Sequence, residues 1–409
     1  AASAEGQADE AISRCREAVS AAPTAQARAL AVLYLCVALL DGGCNDEAVG
    51  LALDASAAGR TAGLDGSFGG YLDALAAEGL TRLGRWAEAE ELLVRHAGYD
   101  TLPVGVFRVA RAGAMLAARR GDGDRAHRLL ADARSQPLDG WHLAYLELTA
   151  ADVHVVLGEW SDAAEAAGRG LASLPADALL WVARFTRFAV AADVERTLDL
   201  VAAREGVDVD ATAERLKGLI DDLHRSALTP DRVARSLDVA AHAAQAGADL
   251  SRLGTPDPDA WAEAARRWTE LGDRWWAAVA LLGEADAAAS VASLDRAGAA
   301  MRSAHVLASA LGSPLLMDRI EAVSRRTRIS VDVPSRVSLD ETAIERLGLT
   351  PRETEVLALV SSGRTNRQIG EELFVSEKTA SVHVSNILRK LGVTSRFDAA
   401  AVAQRLQGG

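Results

Sequence analysis

Apolar residues recur along most of the chain at steps of three and four, the spacing that puts them on one face of an α-helix. The alternating apolar and polar order typical of strands appears at 329–338, where Pro334 interrupts it, so this stretch is predicted to be extended. The composition agrees: the hydrophobic fraction is 49 %, supplied largely by Ala and Leu, and aromatic residues make up 4 %. Such a balance suits close-packed helices better than sheets. We therefore predict an all-α protein.

A glycine followed five residues later by an alanine recurs through the first 177 residues. The glycines are Gly6, Gly43, Gly84, Gly121 and Gly158, at spacings of 37, 41, 37 and 37 residues. Glycine can adopt the positive φ that ends one helix, and the small alanine lets the next helix approach closely. The pattern resembles tetratricopeptide-type helical hairpins and predicts a solenoid over 1–177. Helical periodicity without this repeat continues over 178–328, where further hairpins are expected.

The stretch from Ser376 to Leu391 predicts one amphipathic helix near the end of the chain. Ser376 can cap its first turn and Gly392 ends it. Its predicted buried stripe consists of Ala380, Val384, Ile387 and Leu391. The other faces carry short hydrogen-bonding groups and cations, which suits a groove lined by phosphates. The alternative is a solvated surface helix.

Three more helix starts surround this helix. Thr350 and Glu353 form a capping box, Thr365 and Gln368 repeat it, and Ser395 opens a last helix. The predicted helices cover 351–361, 366–373, 377–391 and 396–406. The second and third have the dimensions of a helix-turn-helix, whose second helix enters the major groove of DNA.

These residues resemble the LuxR-type DNA-binding domain, over about 60 of the 409 residues. The resemblance is carried by Leu349-Thr-Pro-Arg-Glu-Thr-Glu-Val-Leu, Gly363, Asn366-Arg-Gln-Ile, Leu373, Val375-Ser, Lys378-Thr, Val382-His383, Ile387, Lys390-Leu391 and Ser395-Arg396. In that family the third helix reads the major groove and the fourth commonly pairs two copies. The chain departs from the pattern at Ala380, where the family more often has a larger aliphatic residue.

The resemblance implies roles for eight residues of the third helix. Those expected to face base edges are Ser381, Val382 and Ser385. Those expected to face phosphates are Lys378, Thr379, His383, Arg389 and Lys390.

The repeats and the resemblance together predict the organisation of the whole chain. It consists of a tetratricopeptide-like helical-hairpin solenoid over 1–177, a further helical-hairpin region over 178–328, a linker over 329–347 and a four-helix LuxR-type helix-turn-helix domain over 348–409.

The segment ahead of that domain resembles large ATP-binding LuxR-type regulators, the MalT-like group. The similar residues are Trp268-Thr-Glu-Leu-Gly272, Trp276-Ala-Ala-Val-Ala-Leu-Leu, Ala304-His305, Leu311-Gly-Ser-Pro-Leu-Leu and Arg325-Arg326. In such proteins a nucleotide-binding domain precedes the helical array, but the sequence contains no Gly-x-x-x-x-Gly-Lys-Ser/Thr motif. Two alternatives follow: a C-terminal part of a longer ATP-dependent switch, or a regulator without the ATPase.

Charge separates the two parts of the chain. The net charge is -13, and residues 350–409 carry 8 Lys plus Arg against 6 Asp plus Glu, which gives +2 there and -15 elsewhere. The acidic part should repel DNA, whereas the C-terminal domain should contact it. No hydrolase elbow or histidine pair with metal-ligand spacing occurs, so we predict no enzyme, no cofactor and no metal. The longest apolar run, 29–40, is too short to span a bilayer, which predicts a cytoplasmic protein without membrane contact.

The sequence therefore predicts a sequence-specific transcriptional regulator that binds double-stranded DNA as a homodimer. Its helical repeats are expected to sense a protein or small-molecule effector, and RNA polymerase is a further candidate partner. The competing hypotheses are a helical-repeat scaffold for protein interactions and a C-terminal fragment of an ATP-dependent switch.

Overall fold

The computed structural model describes residues 8–61, 63, 68–96, 103–137, 140–174, 178–226, 236–329, 349–361, 366, 369, 373, 377–391, 393 and 399. The chain divides into two compact units, Ala1–Val331 and Asp332–Gly409, here called the helical unit and the C-terminal unit. The described residues form helices and turns with no β-strand among them, so the predicted all-α class is confirmed.

The helices of the first half of the helical unit are short to medium in length and follow one another closely. They are α1 (Ala8–Ala21), α2 (Ala25–Asp41), α3 (Asn45–Thr61), α4 (Gly70–Arg82), α5 (Trp86–Arg95), α6 (Pro103–Arg119), α7 (Gly123–Arg134), α8 (Gly140–Leu157) and α9 (Trp160–Ser173). The second half contains α10 (Leu179–Ala202), α11 (Val209–Ser226), α12 (Leu237–Ser251), α13 (Pro258–Leu271), α14 (Arg274–Ser290), α15 (Leu294–Leu311) and α16 (Pro314–Thr327). The C-terminal unit contains α17 (Pro351–Ser361) and α18 (Glu377–Leu391).

The predicted turns are present where the repeated glycines lie. Gly43, Gly84, Gly121 and Gly158 have φ values of +78°, +79°, +82° and +80°, the left-handed region that glycine enters without steric cost. The alanines five residues later are at most 1 % exposed: they are Ala48, Ala89, Ala126 and Ala163. Each motif therefore ends one helix and packs the next against it, as the sequence predicts.

The motif returns in the second half, where sequence inspection did not identify it. Gly272 has φ +79° and is followed by Ala277, which is 2 % exposed; Ala292 has φ +59° and is followed by the fully buried Ala297. Helices α10 to α12 separate these turns from the four described above, Gly6 lying outside the described residues, and at Ala292 an alanine occupies the position of the glycine. Both features hide the period.

The last helices of the helical unit pack against its first hairpins. Asn45 Nδ2 donates a hydrogen bond to the Leu271 carbonyl oxygen at 2.8 Å, and Ser313 Oγ donates to the Arg119 carbonyl oxygen at 3.0 Å. Arg319 Nη2 donates to the Val156 carbonyl oxygen at 2.7 Å. One hydrophobic core therefore extends from Ala11 to Val323.

The tryptophans of α13 and α14 belong to this core. Trp261, Trp268, Trp275 and Trp276 are 4 %, 2 %, 0 % and 4 % exposed. Trp261 and Trp268, seven residues apart on α13, therefore both pack in the core.

The C-terminal unit has a separate small core. Its buried residues are Leu349, Val356, Leu357, Val360, Ile369, Val384, Ile387 and Ala399. Of the predicted buried stripe of α18, Val384 and Ile387 are buried and Leu391 is half-buried, whereas the side chain of Ala380 is not described. The predicted helices 366–373 and 396–406 and the predicted linker 329–347 lie almost wholly outside the described residues.

None of the described helices combines the length and the apolarity needed to cross a membrane.

Candidate functional site

One face of α18 is exposed along its whole length. Lys378, Ser381, Val382, Ser385 and Arg389 follow one another at steps of three, one, three and four residues, which places them on the same side of the helix. Val382 is 54 % exposed although it is apolar. We call these five residues the outer face of α18. Because Val384 and Ile387 hold the opposite side in the core, the outer face cannot turn inward without unpacking the unit.

The chemistry of the outer face suits base edges in its middle and phosphates at its ends. Ser385 Oγ donates to the Ser381 carbonyl oxygen at 2.9 Å, so its hydroxyl oxygen keeps lone pairs for a base amino group. Arg389 Nη2 donates to Asn386 Oδ1 at 2.9 Å, which orients the guanidinium at the end of the helix. Lys378 lies at the opposite end, two turns before Ser385.

The remaining predicted site residues flank the outer face. Thr379 is exposed, whereas His383 and Lys390 are half-buried. Lys390 Nζ lies 2.6 Å from Glu353 Oε2 of α17, so it forms an ion pair within the unit.

Glu353 also closes the first turn of α17. Thr350 N donates to Glu353 Oε2 at 2.8 Å, and Glu353 N donates to Thr350 Oγ1 at 3.3 Å, which confirms the predicted capping box. Burial acts to raise the pKa of Glu353, but hydrogen bonds from Lys390 and Thr350 outweigh it and hold the pKa below its ordinary value. The carboxylate is therefore ionised where it joins the two helices.

Arg352 gives α17 a second structural role. Its Nη2 donates to the Leu373 carbonyl oxygen at 2.6 Å. Leu373 is the last residue of the predicted helix 366–373, so this bond holds the end of that segment against α17. Both helices of the predicted helix-turn-helix are thus tied to α17.

The helical unit contains a cavity lined by charged and aromatic side chains. Its volume is about 80 Å³, and it is partly open to solvent. The charged residues that line it are Asp41, Glu78, Arg82, Arg108, Arg111, Arg119, Asp152, Arg184, Asp238 and Asp273. Its aromatic lining consists of Tyr145, Phe188, Trp268 and Trp276, next to His242.

Three of the five arginines that line the cavity form ion pairs with four of its five carboxylates. Arg184 donates to Asp238 Oδ1 and Oδ2 at 2.9 and 2.8 Å and to Asp41 at 2.7 Å. Arg119 donates to both Asp273 oxygens at 3.3 and 3.0 Å. Arg111 donates to Glu78 and, at 3.3 Å, to Thr149 Oγ1. These pairs connect helices far apart in sequence and satisfy most of the buried charge.

Arg108 and Asp152 are left with unsatisfied atoms on the cavity wall. Arg108 is 3 % exposed, and its Nε and Nη1 have no hydrogen-bond partner among the described residues. Its guanidinium lies 4.0 Å from the Tyr145 ring centroid and 4.6 Å from that of Tyr71. Asp152 Oδ1 also lacks such a partner, and burial raises the pKa of this carboxyl. The unmatched donors therefore exceed the unmatched acceptors.

Sequence inspection did not identify this cavity. Its ion pairs join residues 33 to 154 positions apart, and no local motif marks them. The available signal was the run of arginines on the apolar helices α6 and α10, where a charged residue on a buried face needs a partner.

Comparison with known proteins matches the C-terminal unit. The family model described as bacterial regulatory proteins, luxR family, matches residues 347–403. The spore germination protein GerE of Bacillus subtilis is 45 % identical over 58 residues, which are 14 % of this chain and 78 % of that protein.

Longer relatives match over a smaller share of their length. The transcriptional regulatory protein LiaR of Bacillus subtilis is 41 % identical over 96 residues, 22 % of this chain and 46 % of LiaR. The HTH-type transcriptional regulator MalT of Yersinia enterocolitica is 50 % identical over 58 residues, 14 % of this chain and 6 % of MalT. The chain thus spans less than half the length of LiaR. No solved structure matches this chain.

Proposed function

The chain belongs to the LuxR family of bacterial regulatory proteins, and on that premise we propose that it regulates transcription by binding a duplex site in response to a small organic anion held in the helical unit. The C-terminal unit contacts the DNA as a homodimer, in the bacterial cytoplasm. The protein acts by binding rather than by catalysis.

The exposure of the outer face of α18 is the observation that supports DNA binding by the C-terminal unit. Ser381, Val382 and Ser385 face base edges, where the Ser385 hydroxyl accepts from an amino group and Val382 contacts a thymine methyl. Lys378, Thr379, His383 and Arg389 face phosphates. Lys390, which also pairs with Glu353, faces a phosphate at the end of the helix.

Selection from a random duplex library with the full chain tests this part. The expected product is a set of sites with two related half-sites, because the two subunits of a dimer present the same helix twice. Enrichment of no sequence would contradict it and favour the scaffold hypothesis.

The unmatched hydrogen-bond donors on the cavity wall are the observation that supports an anion site in the helical unit. A carboxylate or phosphate on a small molecule can accept from Arg108, and the rings of Tyr145, Trp268 and Trp276 suit its apolar body. The lining contains five arginines and five carboxylates, but Arg108 forms no ion pair in the described part of the chain, so an anion beside it would pair with a buried guanidinium. Binding there would add contacts to those that already join the first hairpins to α13 and α14, and the resulting stiffening is the change that the DNA-binding unit senses.

Benzoate, with its neutral isostere benzamide as control, tests the anion site. Benzoate should change tryptophan fluorescence of the full chain and raise its unfolding temperature, whereas benzamide should bind at least about 10-fold more weakly, since a charged hydrogen bond is lost. Arg108→Met should abolish this difference without lowering stability, because an unpaired buried cation is replaced by an apolar chain. Arg128→Met, on the exposed side of α7, should change neither property. Equal binding of benzoate and benzamide would contradict the anion site.

A further inference from the structure

Two histidines and a glutamate meet at one junction between hairpins of the helical unit. His127 lies on α7, His154 on α8, and Glu159 in the turn before α9. One ligand atom from each lies within 4.8 Å of the others. None of the three lines the cavity or belongs to α18, so neither proposed activity uses them.

Both histidines direct a ring nitrogen at the same carboxylate oxygen. His127 Nε2 lies 2.9 Å and His154 Nδ1 2.6 Å from Glu159 Oε2. Ligand atoms around a tetrahedral zinc ion, at about 2.1 Å from the metal, are roughly 3.4 Å apart. The two histidine–carboxylate distances therefore need to lengthen by less than about 1 Å to receive an ion.

The same positions in the other repeats show that this chemistry is not a general feature of the fold. Counted from the repeated glycines, the equivalent triplets are Ile12, Leu39 and Cys44; Val49, Leu80 and Arg85; and Glu90, Ala117 and Asp122. The first triplet also meets in space, because all three of its residues line one pocket. Of these four junctions, the one formed by His127, His154 and Glu159 carries metal-binding side chains at all three positions.

The junction is open to solvent and carries a carboxylate. The side chains of His127, His154 and Glu159 are 43 %, 16 % and 31 % exposed, so a hydrated ion can reach them and keep a water as a further ligand. Two imidazoles and one carboxylate form a donor set for zinc and similar divalent transition ions.

We propose that His127, His154 and Glu159 bind one divalent transition-metal ion of the zinc class, with a solvent molecule completing the coordination. The ion would join α7, α8 and the turn before α9, and so would fasten two neighbouring hairpins to each other. Sequence inspection predicted no metal site, because His127 and His154 are 27 residues apart and lie on different helices.

Titration of the chelator-treated full chain with Co²⁺ and Zn²⁺ alone tests the site. One equivalent of Co²⁺ should give the visible absorption of a low-coordinate cobalt ion, and Zn²⁺ should displace it and raise the unfolding temperature. His127→Ala should weaken Zn²⁺ binding at least about 10-fold. Because the His127 side chain is 43 % exposed, this variant should keep its fold, which helical circular dichroism checks.

His224→Ala is the matched control, since His224 is an exposed histidine on α11 outside the junction. It should leave stoichiometry and affinity unchanged. Binding that His127→Ala and Glu159→Gln leave intact, or that His224→Ala weakens equally, would mean adventitious surface binding and would overturn the proposal. Absence of the cobalt absorption at one equivalent would overturn it as well.

Discussion

Lys390 Nζ lies 2.6 Å from Glu353 Oε2, and this oxygen also accepts the Thr350 N–H at 2.8 Å. One carboxylate oxygen thus closes the first turn of α17 and holds the last turn of α18. The Glu353 and Lys390 side chains are 7 % and 29 % exposed, so the pair is shielded from most solvent screening. The direction of the outer face of α18 is therefore set by this contact together with the core residues Val384 and Ile387.

Replacing Glu353 should loosen both helices. In Glu353→Gln the half-buried ammonium of Lys390 loses its counter-charge, and the cap of α17 loses a charged acceptor. We expect a loss of about 1–3 kcal/mol in the free energy of local unfolding. Hydrogen exchange of the amides of α17 and α18 in the full chain measures it.

Glu355→Gln is the matched control for this substitution. Glu355 pairs with Arg352 at 2.7 Å, but the two side chains are 37 % and 38 % exposed, so the change should stay within about 0.5 kcal/mol. Equal protection in Glu353→Gln and in the unchanged protein would show that the pair does not hold α18.

Val382→Ala should change the preference of the protein among DNA sequences. The Val382 side chain is 54 % exposed, so shortening it should leave stability almost unchanged. The preferred site should lose about 5-fold in affinity through lost methyl contact, whereas non-specific duplexes should bind as before. Binding-site selection compares the variant with the unchanged protein.

Val306→Ala is the matched control, since Val306 is a 50 % exposed valine of α15, and it should not alter the selected sites. Identical site profiles for all three proteins would remove Val382 from the base-facing set.

Gly170 and Gly168 on α9 should respond in opposite directions to alanine. A Cβ added at Gly170 would lie 2.1 Å from the Phe185 ring, whereas at Gly168 nothing lies within 4 Å. Gly170→Ala should therefore destabilise the helical unit by about 1–3 kcal/mol through overpacking. Gly168→Ala should stabilise it by up to about 1 kcal/mol through helix propensity. Denaturant unfolding followed by tryptophan fluorescence distinguishes them, and stabilisation by both variants would contradict the close contact of α9 with α10.

Local sequence patterns were sufficient to predict much of this fold. Periodicity and capping groups predict helices at 274–289, 294–311, 314–327, 351–361 and 377–391, and these agree with α14 to α18 within about two residues, because both signals act within a few residues. The repeated glycines predicted their turns for the same reason. The same pattern predicts a helix at 194–204, whereas α10 begins at Leu179, since its first turns carry Arg184 and Arg187 on buried faces and so hide the apolar stripe.

Acid should weaken the helical unit through His242. Burial lowers the pKa of this imidazole to about 3; Asp238 acts against the shift, and Arg184 and Arg187 add to it. Below the ordinary pKa of about 6.5, His242 is protonated in the unfolded chain but stays neutral in the folded chain. The free energy of unfolding therefore falls as the pH drops from about 6.5 towards 3. The loss should approach about 1.4 kcal/mol per pH unit.

His242→Phe removes this titration and keeps a ring against Trp268, whose centroid is 4.8 Å away. The difference in unfolding free energy between the two proteins should be constant above pH 7 and should shift in favour of the variant below pH 6. A difference independent of pH from 4 to 8 would show that His242 is not held neutral by the fold.

The candidate sites were unequally predictable. The residues of α18 lie on one helix, so a contiguous motif identified them and the structure exposes the five of the outer face. The cavity and the histidine junction depend on which helices meet. Arg119 and Asp273 are 154 residues apart, and the contact follows from packing of the last helices on the first hairpins. No local pattern contains that information.

The central claim is that the outer face of α18 docks on the phosphate backbone of duplex DNA, and the salt dependence of binding by Lys378→Ala/Arg389→Ala tests it most directly. Lys390 stays unchanged in this variant, because its removal would also disturb Glu353. The slope of log affinity against log salt should fall by about 1.8 for each bound subunit, with all duplexes weakened alike. Lys217→Ala, at an exposed lysine of α11, should leave the slope unchanged. A double variant with the affinity and salt slope of the unchanged protein would contradict the docking of α18 on DNA.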